Sequence, residues 1–207
     1  MHELLLATTN SGKLDELYDL LKNFPVKLRQ PGELNININV IENGATYADN
    51  AALKAEAYCR ASGLITLADD SGLEVKALDR APGLYSARFS PLPEATDAIR
   101  RALLLEKLQS FPTPWLAEFR AVIAIAIPPN KPNFGIRMEF AEGFCSGEII
   151  RHEKGTKGFG YDPIFFIPSL NHTMAELSME EKNKISHRAR AVMAAKPLLE
   201  EIFKSQL

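Results

Sequence analysis

The chain is 207 residues long, with 46% hydrophobic and 24% charged residues, an ordinary balance for a soluble globular protein with room for a substantial core in one domain. A formal net charge of −2 gives no bulk reason to bind nucleic acid or an anionic membrane, so any phosphate recognition must come from local arrangement. Cys59 and Cys145 match no metal or redox spacing, no apolar run approaches the ~20 residues of a membrane span, and Met1-His2-Glu3-Leu4 goes straight into an apolar run with no basic leader; the expected location is the cytoplasm.

In chain order, Leu4-Leu5-Leu6-Ala7 reads as a buried strand, broken by Thr8-Thr9-Asn10-Ser11-Gly12, after which residues 13–21 carry leucines at helical spacing. Residues 26–28 suit a second strand and 31–41, rich in Asn, an edge or connecting segment. Thr46-Tyr47-Ala48-Asp49 has capping-box spacing for an alanine-rich helix that Gly63 ends. Residues 65–68 predict a strand ending in Asp69-Asp70-Ser71-Gly72, with another strand over 73–77. A helix over 96–109 precedes a long branched strand over 119–127; a Pro-rich turn at 128–133 then leads to an antiparallel return over 136–148. Ser178 to Glu181 opens a C-terminal helical region reaching about Phe203, which Pro197 should kink or split. The pattern is that of an α/β domain with a mixed, strongly bent sheet; the strand order does not follow from it.

Five segments carry chemistry-bearing residues. Thr8-Thr9-Asn10-Ser11-Gly12-Lys13 lies between a strand and a helix, where unsatisfied N–H groups and the helix dipole favour an anion. Lys13 in the first turn opposes that dipole unless an anion sits there, although a plainly capped helix with a solvated lysine also fits. The segment is not a Walker A loop: Ala7 replaces its first glycine and Leu14 follows the lysine. Asp69 and Asp70 leave a strand in opposite directions and so should serve different purposes, one facing a ligand and one anchoring a turn; an Asx turn is the simpler reading. Asn50 and Lys54 share a helix face, and Glu42 with Asp70 supplies the few carboxylate oxygens magnesium needs; alternatively Glu42 is solvated and Lys54 snorkels. Ser186-His187-Arg188 is a run of donors near a helix start, within what is otherwise a charged solvated face. Finally, Gly158-Phe159-Gly160-Tyr161-Asp162-Pro163 holds an aromatic ring between two glycines, either as a flat face for a planar ligand or as a plug folded into the core.

Ala7 to Lys13, Glu42-Asn43-Gly44-Ala45-Thr46 with the helix start to Ala51, Ala68-Asp69-Asp70-Ser71-Gly72-Leu73, Pro82-Gly83-Leu84-Tyr85-Ser86-Ala87-Arg88-Phe89, Gly158 to Phe166 and Ile185-Ser186-His187-Arg188 occur in one order along nearly the whole chain. Together they resemble the inosine triphosphate pyrophosphatase family, which hydrolyses non-standard purine nucleoside triphosphates such as ITP, dITP and XTP. The resemblance implies one domain over residues 1–207, with a long bent mixed sheet and flanking helices forming two lobes around a central substrate cleft, and a homodimer. It implies conversion of a triphosphate and water to monophosphate and pyrophosphate, with Mg2+ held by Glu42 and Asp70 and with Asp70 as base. It places the triphosphate on Thr8, Thr9, Asn10, Ser11, Gly12 and Lys13, and a substrate contact at Ser71. It implies that Phe159, Gly160, Tyr161, Asp162 and Lys182 line the nucleotide site, and that His187 and Arg188 contact the base. Asn50, Lys54, Asp69 and Arg88, in or beside the matching stretches, are further candidates.

Backbone N–H groups near Gly160 to Asp162, with His187 and Arg188, are the candidate donors for a 6-oxo group, which a pocket of fixed donors accepts and an amino group leaves unpaired. Two other classes remain: a Maf-like pyrophosphatase acting on modified pyrimidine nucleotides, and a non-catalytic nucleotide-binding module.

Overall fold

A computed structural model describes residues 2–129 and 134–205. Strand β1 (Glu3–Leu6) pairs in parallel with β2 (Lys27–Arg29), Leu4 opposite Leu28, and with β3 (Ile65–Val75), Leu5 opposite Thr66. A strand flanked in parallel on both sides must be apolar on both faces, which is why its sequence is an unbroken leucine run. Between these strands lie helix α1 (Ser11–Leu21), a 3-10 turn at Pro31–Leu34 in the expected connecting segment, and helix α2 (Tyr47–Ser62). Helix α2 starts as expected: Thr46 Oγ1 accepts the Asp49 N–H at 3.1 Å and the Asp49 carboxylate accepts the Thr46 N–H at 2.9 Å. It ends at Gly63 in the left-handed conformation, φ +70.

Helix α3 (Asp97–Leu108), β4 (Trp115–Ile127), β5 (Arg137–Ile149), β6 (Phe165–Ile167), β7 (His172–Thr173), α4 (Met179–Ile185) and α5 (His187–Lys204) follow. The described strands form one open seven-stranded sheet in the order β2-β1-β3-β4-β5-β6-β7, with β5–β6 and β6–β7 antiparallel. The sheet is therefore mixed, as the sequence suggested. Positions 130–133 of the Pro-rich turn between β4 and β5 lie outside the described residues.

Three expectations change. Residues 65–75 form one strand, not two separated by a turn. Leu67, Ala68, Leu73 and Val75 are all fully buried, and within the polar stretch Asp69 meets Lys13 and Arg188 while Asp70 meets Asn50 and Lys54. Strand β4 begins at Trp115, four residues early, because Trp115, Ala117 and Phe119 alternate inward. The C-terminal helices separate at Ser186, whose ψ of 155° is extended, while Pro197 lies inside the continuous α5.

The chain divides into two compact units: Met1–Asp70 with Ala121–Gly143 and Arg188–Leu207, and Ser71–Arg120 with Phe144–His187. The first unit is layered by the strand alternation. Leu4 and Leu6 pack with Leu17 and Leu21 of α1 and Val192 and Leu199 of α5, while Leu5 and Ala7 face the alanines Ala51 and Ala55 of α2. Each fully buried leucine contributes on the order of 1.5–3 kcal/mol. In the second unit Leu104 and Leu108 of α3 pack with Trp115, Phe119, Tyr161 and Phe165 in one core. Cys59 and Cys145 are buried, one in each unit, and burial pushes the Cys59 thiol up to about 11. No helix among the described residues is long and apolar enough to cross a membrane.

Candidate active site

The loop after β1 is built around Asn10. Its side chain caps α1 by accepting the Lys13 N–H at 3.0 Å, and its own N–H donates to Thr8 Oγ1 at 3.2 Å. Thr9, Asn10 and Ser11 are exposed, and Thr8 and Gly12 half-buried, so the helix start presents its polar groups outward. The Lys13 side chain turns the other way and is 16% exposed, with Nζ 3.3 Å from Asp69 Oδ2. Burial lowers the Lys13 pKa, aided by the cations Lys54 and Arg188 and opposed by Asp69.

Asp69 is the hub of this cluster. The same Oδ2 accepts Arg188 Nε at 3.1 Å, and Arg188 Nη1 reaches the buried carboxylate of Glu16 on α1. Burial alone would raise the Asp69 pKa, but Lys13, Arg188 and Lys54 overwhelm it and hold the group far below the usual carboxylate range. Burial likewise works against Arg188, yet Asp69 and Glu16 raise its pKa and keep it cationic. The two successive aspartates do have different partners. Asp70 Oδ2 accepts Asn50 Nδ2 at 3.1 Å, and Asp70 Oδ1 lies 3.7 Å from Lys54 Nζ, which also meets Glu42 Oε2 at 3.0 Å. For Asp70 burial prevails over Lys54, Lys13 and Asn50, so its pKa is raised. Asn50 also accepts the Gly44 N–H at 2.8 Å. A Cβ at Gly44 would collide with Asp49 and Asn50, so the glycine permits that approach.

In the second unit the loop carrying Phe159 is held by charged side chains. Asp162 Oδ2 accepts the Phe159 N–H at 3.0 Å and Lys182 Nζ at 2.5 Å; Lys182 Nζ is also 5.3 Å from the Phe159 ring centroid. Phe159 itself is half-buried. The Gly160 N–H donates to Asp97 Oδ2 at 2.7 Å and the Asp162 N–H to the Phe159 carbonyl at 3.2 Å. Of the backbone N–H groups from Gly160 to Asp162 expected to read a 6-oxo group, those of Gly160 and Asp162 are thus already engaged, the first by a side chain of α3 and the second within the turn. Tyr161 is 4% exposed and its hydroxyl donates to the Ser86 carbonyl at 2.9 Å, with burial raising its pKa. Its side chain belongs to the core of this unit. His187 stacks on Phe119 at 4.7 Å with 13° between planes. Ser71 is half-buried in β3, and the exposed Arg88 lies over the Tyr85 ring at 5.4 Å.

The structure thus gathers Lys13, Glu42, Asn50, Lys54, Asp69, Asp70 and Arg188 in the first unit, and Phe159, Gly160, Asp162 and Lys182 in the second. A model of the Ham1 family matches residues 4–198. The chain belongs to the Ham1 family. It is 46% identical to the dITP/XTP pyrophosphatase of Desulforamulus reducens, over 99% of this chain and 98% of that protein. A Ham1 protein from Coxiella burnetii superposes with a TM-score of 0.85 at 40% identity, covering 97% of this chain and 100% of that one. The Ham1 protein of Staphylococcus aureus gives a TM-score of 0.81 at 37% identity, covering 96% and 98%.

Sequence reasoning overlooked three charged residues that hold these clusters in place. Glu16 shares with Lys13, Leu17 and Leu20 the i, i+3, i+4, i+7 stripe that faces inward, so a carboxylate there signalled a buried partner. Asp97 and Arg101, four apart at a helix start, look in sequence like an ordinary exposed pair. Nothing local marks them as partners of Gly160.

Proposed function

We propose that this chain hydrolyses non-standard purine nucleoside triphosphates, ITP, dITP and XTP, to the monophosphate and pyrophosphate. The observation that carries the reading is the buried Lys13–Asp69–Arg188 set next to the Glu42–Lys54–Asp70 set, in a chain whose relatives bear the name dITP/XTP pyrophosphatase. Phosphoanhydride hydrolysis needs charge neutralisation and a positioned water more than covalent help. Lys13 and the exposed N-terminal turn of α1 meet the phosphate end. Asp70, its pKa raised by burial, is the base that orients and deprotonates water.

The donor set suits magnesium. Among the described residues no group of three His, Cys, Asp or Glu side chains forms a dedicated cage, and Mg2+ characteristically takes one or two carboxylates and completes its shell with water and phosphate. Glu42 and Asp70 would hold it, with Lys54 yielding its place between them. Bound there, it would supply neutralisation of developing phosphate charge.

At the base end, the ring of Phe159 stacks on the purine with Lys182 fixing its underside, and His187 reads the edge. Arg188, with two nitrogens on Asp69 and Glu16, supports the phosphate end as well as the base. The protein acts as one domain, as a cytoplasmic homodimer. Incubation with Mg2+ and ITP, dITP, XTP, GTP, ATP or modified pyrimidine triphosphates, followed by measurement of pyrophosphate, tests the proposal. Release from the first three and little from ATP is expected. Release from none, comparable release from ATP, or preference for the pyrimidines would overturn it.

A further inference from the structure

The ring of Phe159 rides on a loop gripped by α3. Within one turn of that helix, Asp97 Oδ2 accepts the Gly160 N–H at 2.7 Å and Arg101 Nη1 donates to the Gly160 carbonyl at 2.8 Å. Both polar groups of a single residue are thus taken by side chains four apart on one helix face. Each grip is itself braced. The Asp97 carboxylate pairs with Arg100, and Arg101 turns Nε and Nη2 to the two oxygens of Glu153 at 2.8 and 3.0 Å, a bidentate fork that fixes the guanidinium plane. Burial works to raise the Asp97 pKa, but the Gly160 N–H and Arg100 outweigh it and hold the group below the usual range. The acceptor is therefore ionised at neutral pH.

Gly160 gives this bracket its purpose. It sits at φ +61, and a Cβ there would meet nothing within 4 Å. No neighbour crowds the side-chain position to restrict the backbone here, and glycine by itself has many conformations available. The hydrogen bonds from α3 select one of them.

We propose that Asp97 and Arg101 are positioning residues for the nucleobase: by clamping the Gly160 backbone they fix the tilt of the Phe159 ring. The proposal rests on the reading of Phe159 as the purine platform. Asp97→Ala should raise KM for ITP roughly tenfold, the scale of a charge-assisted hydrogen bond, with kcat nearly unchanged. Asp97→Asn retains an acceptor and should recover most of the loss. Inhibition by inorganic pyrophosphate, which has no base, should be unaltered.

A double-mutant cycle with Phe159→Ala completes the test, since a residue acting through the ring has nothing to act on once the ring is gone. If Phe159→Ala leaves KM unchanged, the platform reading itself fails. If Phe159→Ala raises KM while Asp97→Ala does not, or while Asp97→Ala multiplies KM equally in both backgrounds, the positioning proposal alone fails. Weakened pyrophosphate inhibition in parallel with KM would also overturn it, by revealing a general loss of structure. Arg101→Ala provides the same measurements independently should Asp97→Ala not fold.

Discussion

Lys13 meets Asp69 at 3.3 Å in the first unit, and Lys182 meets Asp162 at 2.5 Å in the second. Both pairs are buried or nearly so, yet their third partners differ. Asp69 also accepts Arg188, which continues to Glu16, while Lys54 stands between Glu42 and Asp70. Three cations there face four carboxylates. Asp162 instead accepts a backbone amide, and Lys182 faces an aromatic ring. The first pair belongs to an electrostatic device that sets charge; the second belongs to a mechanical one that sets the shape of a loop. A buried ion pair is costly to desolvate and weak evidence of stability by itself, so its neighbours disclose its use.

The largest effect that would break this contrast lies at Asp70. Asp70→Asn should lower turnover by about 10²- to 10⁴-fold, the range of general base catalysis, without loss of thermal stability. The folded-state pKa of Asp70 is raised by burial, so its charge weakens the fold at neutral pH and a neutral amide removes that cost. Without Mg2+ the Asp70 carboxyl should titrate above the ordinary Asp value of about 3.9, and Mg2+ held there should lower it. Near-normal turnover of Asp70→Asn would remove the residue from both the base and metal roles.

Next in size is the hub. Arg188→Met leaves Asp69 and Glu16 without their shared buried cation, a loss of roughly 3–5 kcal/mol for a broken buried pair, measured by urea unfolding. Acid should expose the same network. Because the folded pKa of Asp69 is depressed, its contribution is present above its unfolded pKa of about 3.9 and is lost as the pH falls through the lower folded value. Asp69→Asn should flatten this part of the acid stability curve. An unchanged curve would show that another carboxylate governs acid unfolding.

The lysines separate the two devices directly. Lys13→Met should reduce kcat/KM by about 10- to 100-fold for every triphosphate tested, on the scale of a hydrogen bond to a charged group. Lys182→Met should raise KM by a smaller factor, unequally among ITP, XTP and GTP, because it disturbs the ring and not the phosphate. Equal, base-independent losses for both would merge the two devices into one.

How far this contrast was legible beforehand depended on the range of the interaction. The loop after β1, the capping box of α2 and the glycine cap at Gly63 rest on neighbours within a few residues, and they stand as the sequence indicated. The different partners of Asp69 and Asp70 followed from strand alternation. The continuous β3 did not, because a run of Asp-Asp-Ser-Gly reads as a turn unless Lys13, Arg188 and Asn50 are known to be waiting for it. The engagement of the Gly160 N–H by Asp97, 63 residues away, left no local trace. Glu16 left one, as a carboxylate on an apolar stripe.

The smallest effects test the loop itself, through the glycines on either side of Phe159. Both have positive φ, +73 at Gly158 and +61 at Gly160, so alanine at either carries a left-handed backbone cost of about 1–2 kcal/mol. Their surroundings differ. A Cβ at Gly158 would collide with Asp162 Oδ2, the atom that holds the Phe159 N–H and Lys182, whereas a Cβ at Gly160 meets nothing within 4 Å. Gly160→Ala should therefore show the backbone cost alone, a fall in thermal midpoint of about 2–4 °C per kcal/mol for a chain of this size, with a slight rise in KM. Gly158→Ala should add displacement of the Asp162 carboxylate and raise KM clearly more. If the two variants were equal in both measurements, Asp162 would not be the post on which the ring is hung.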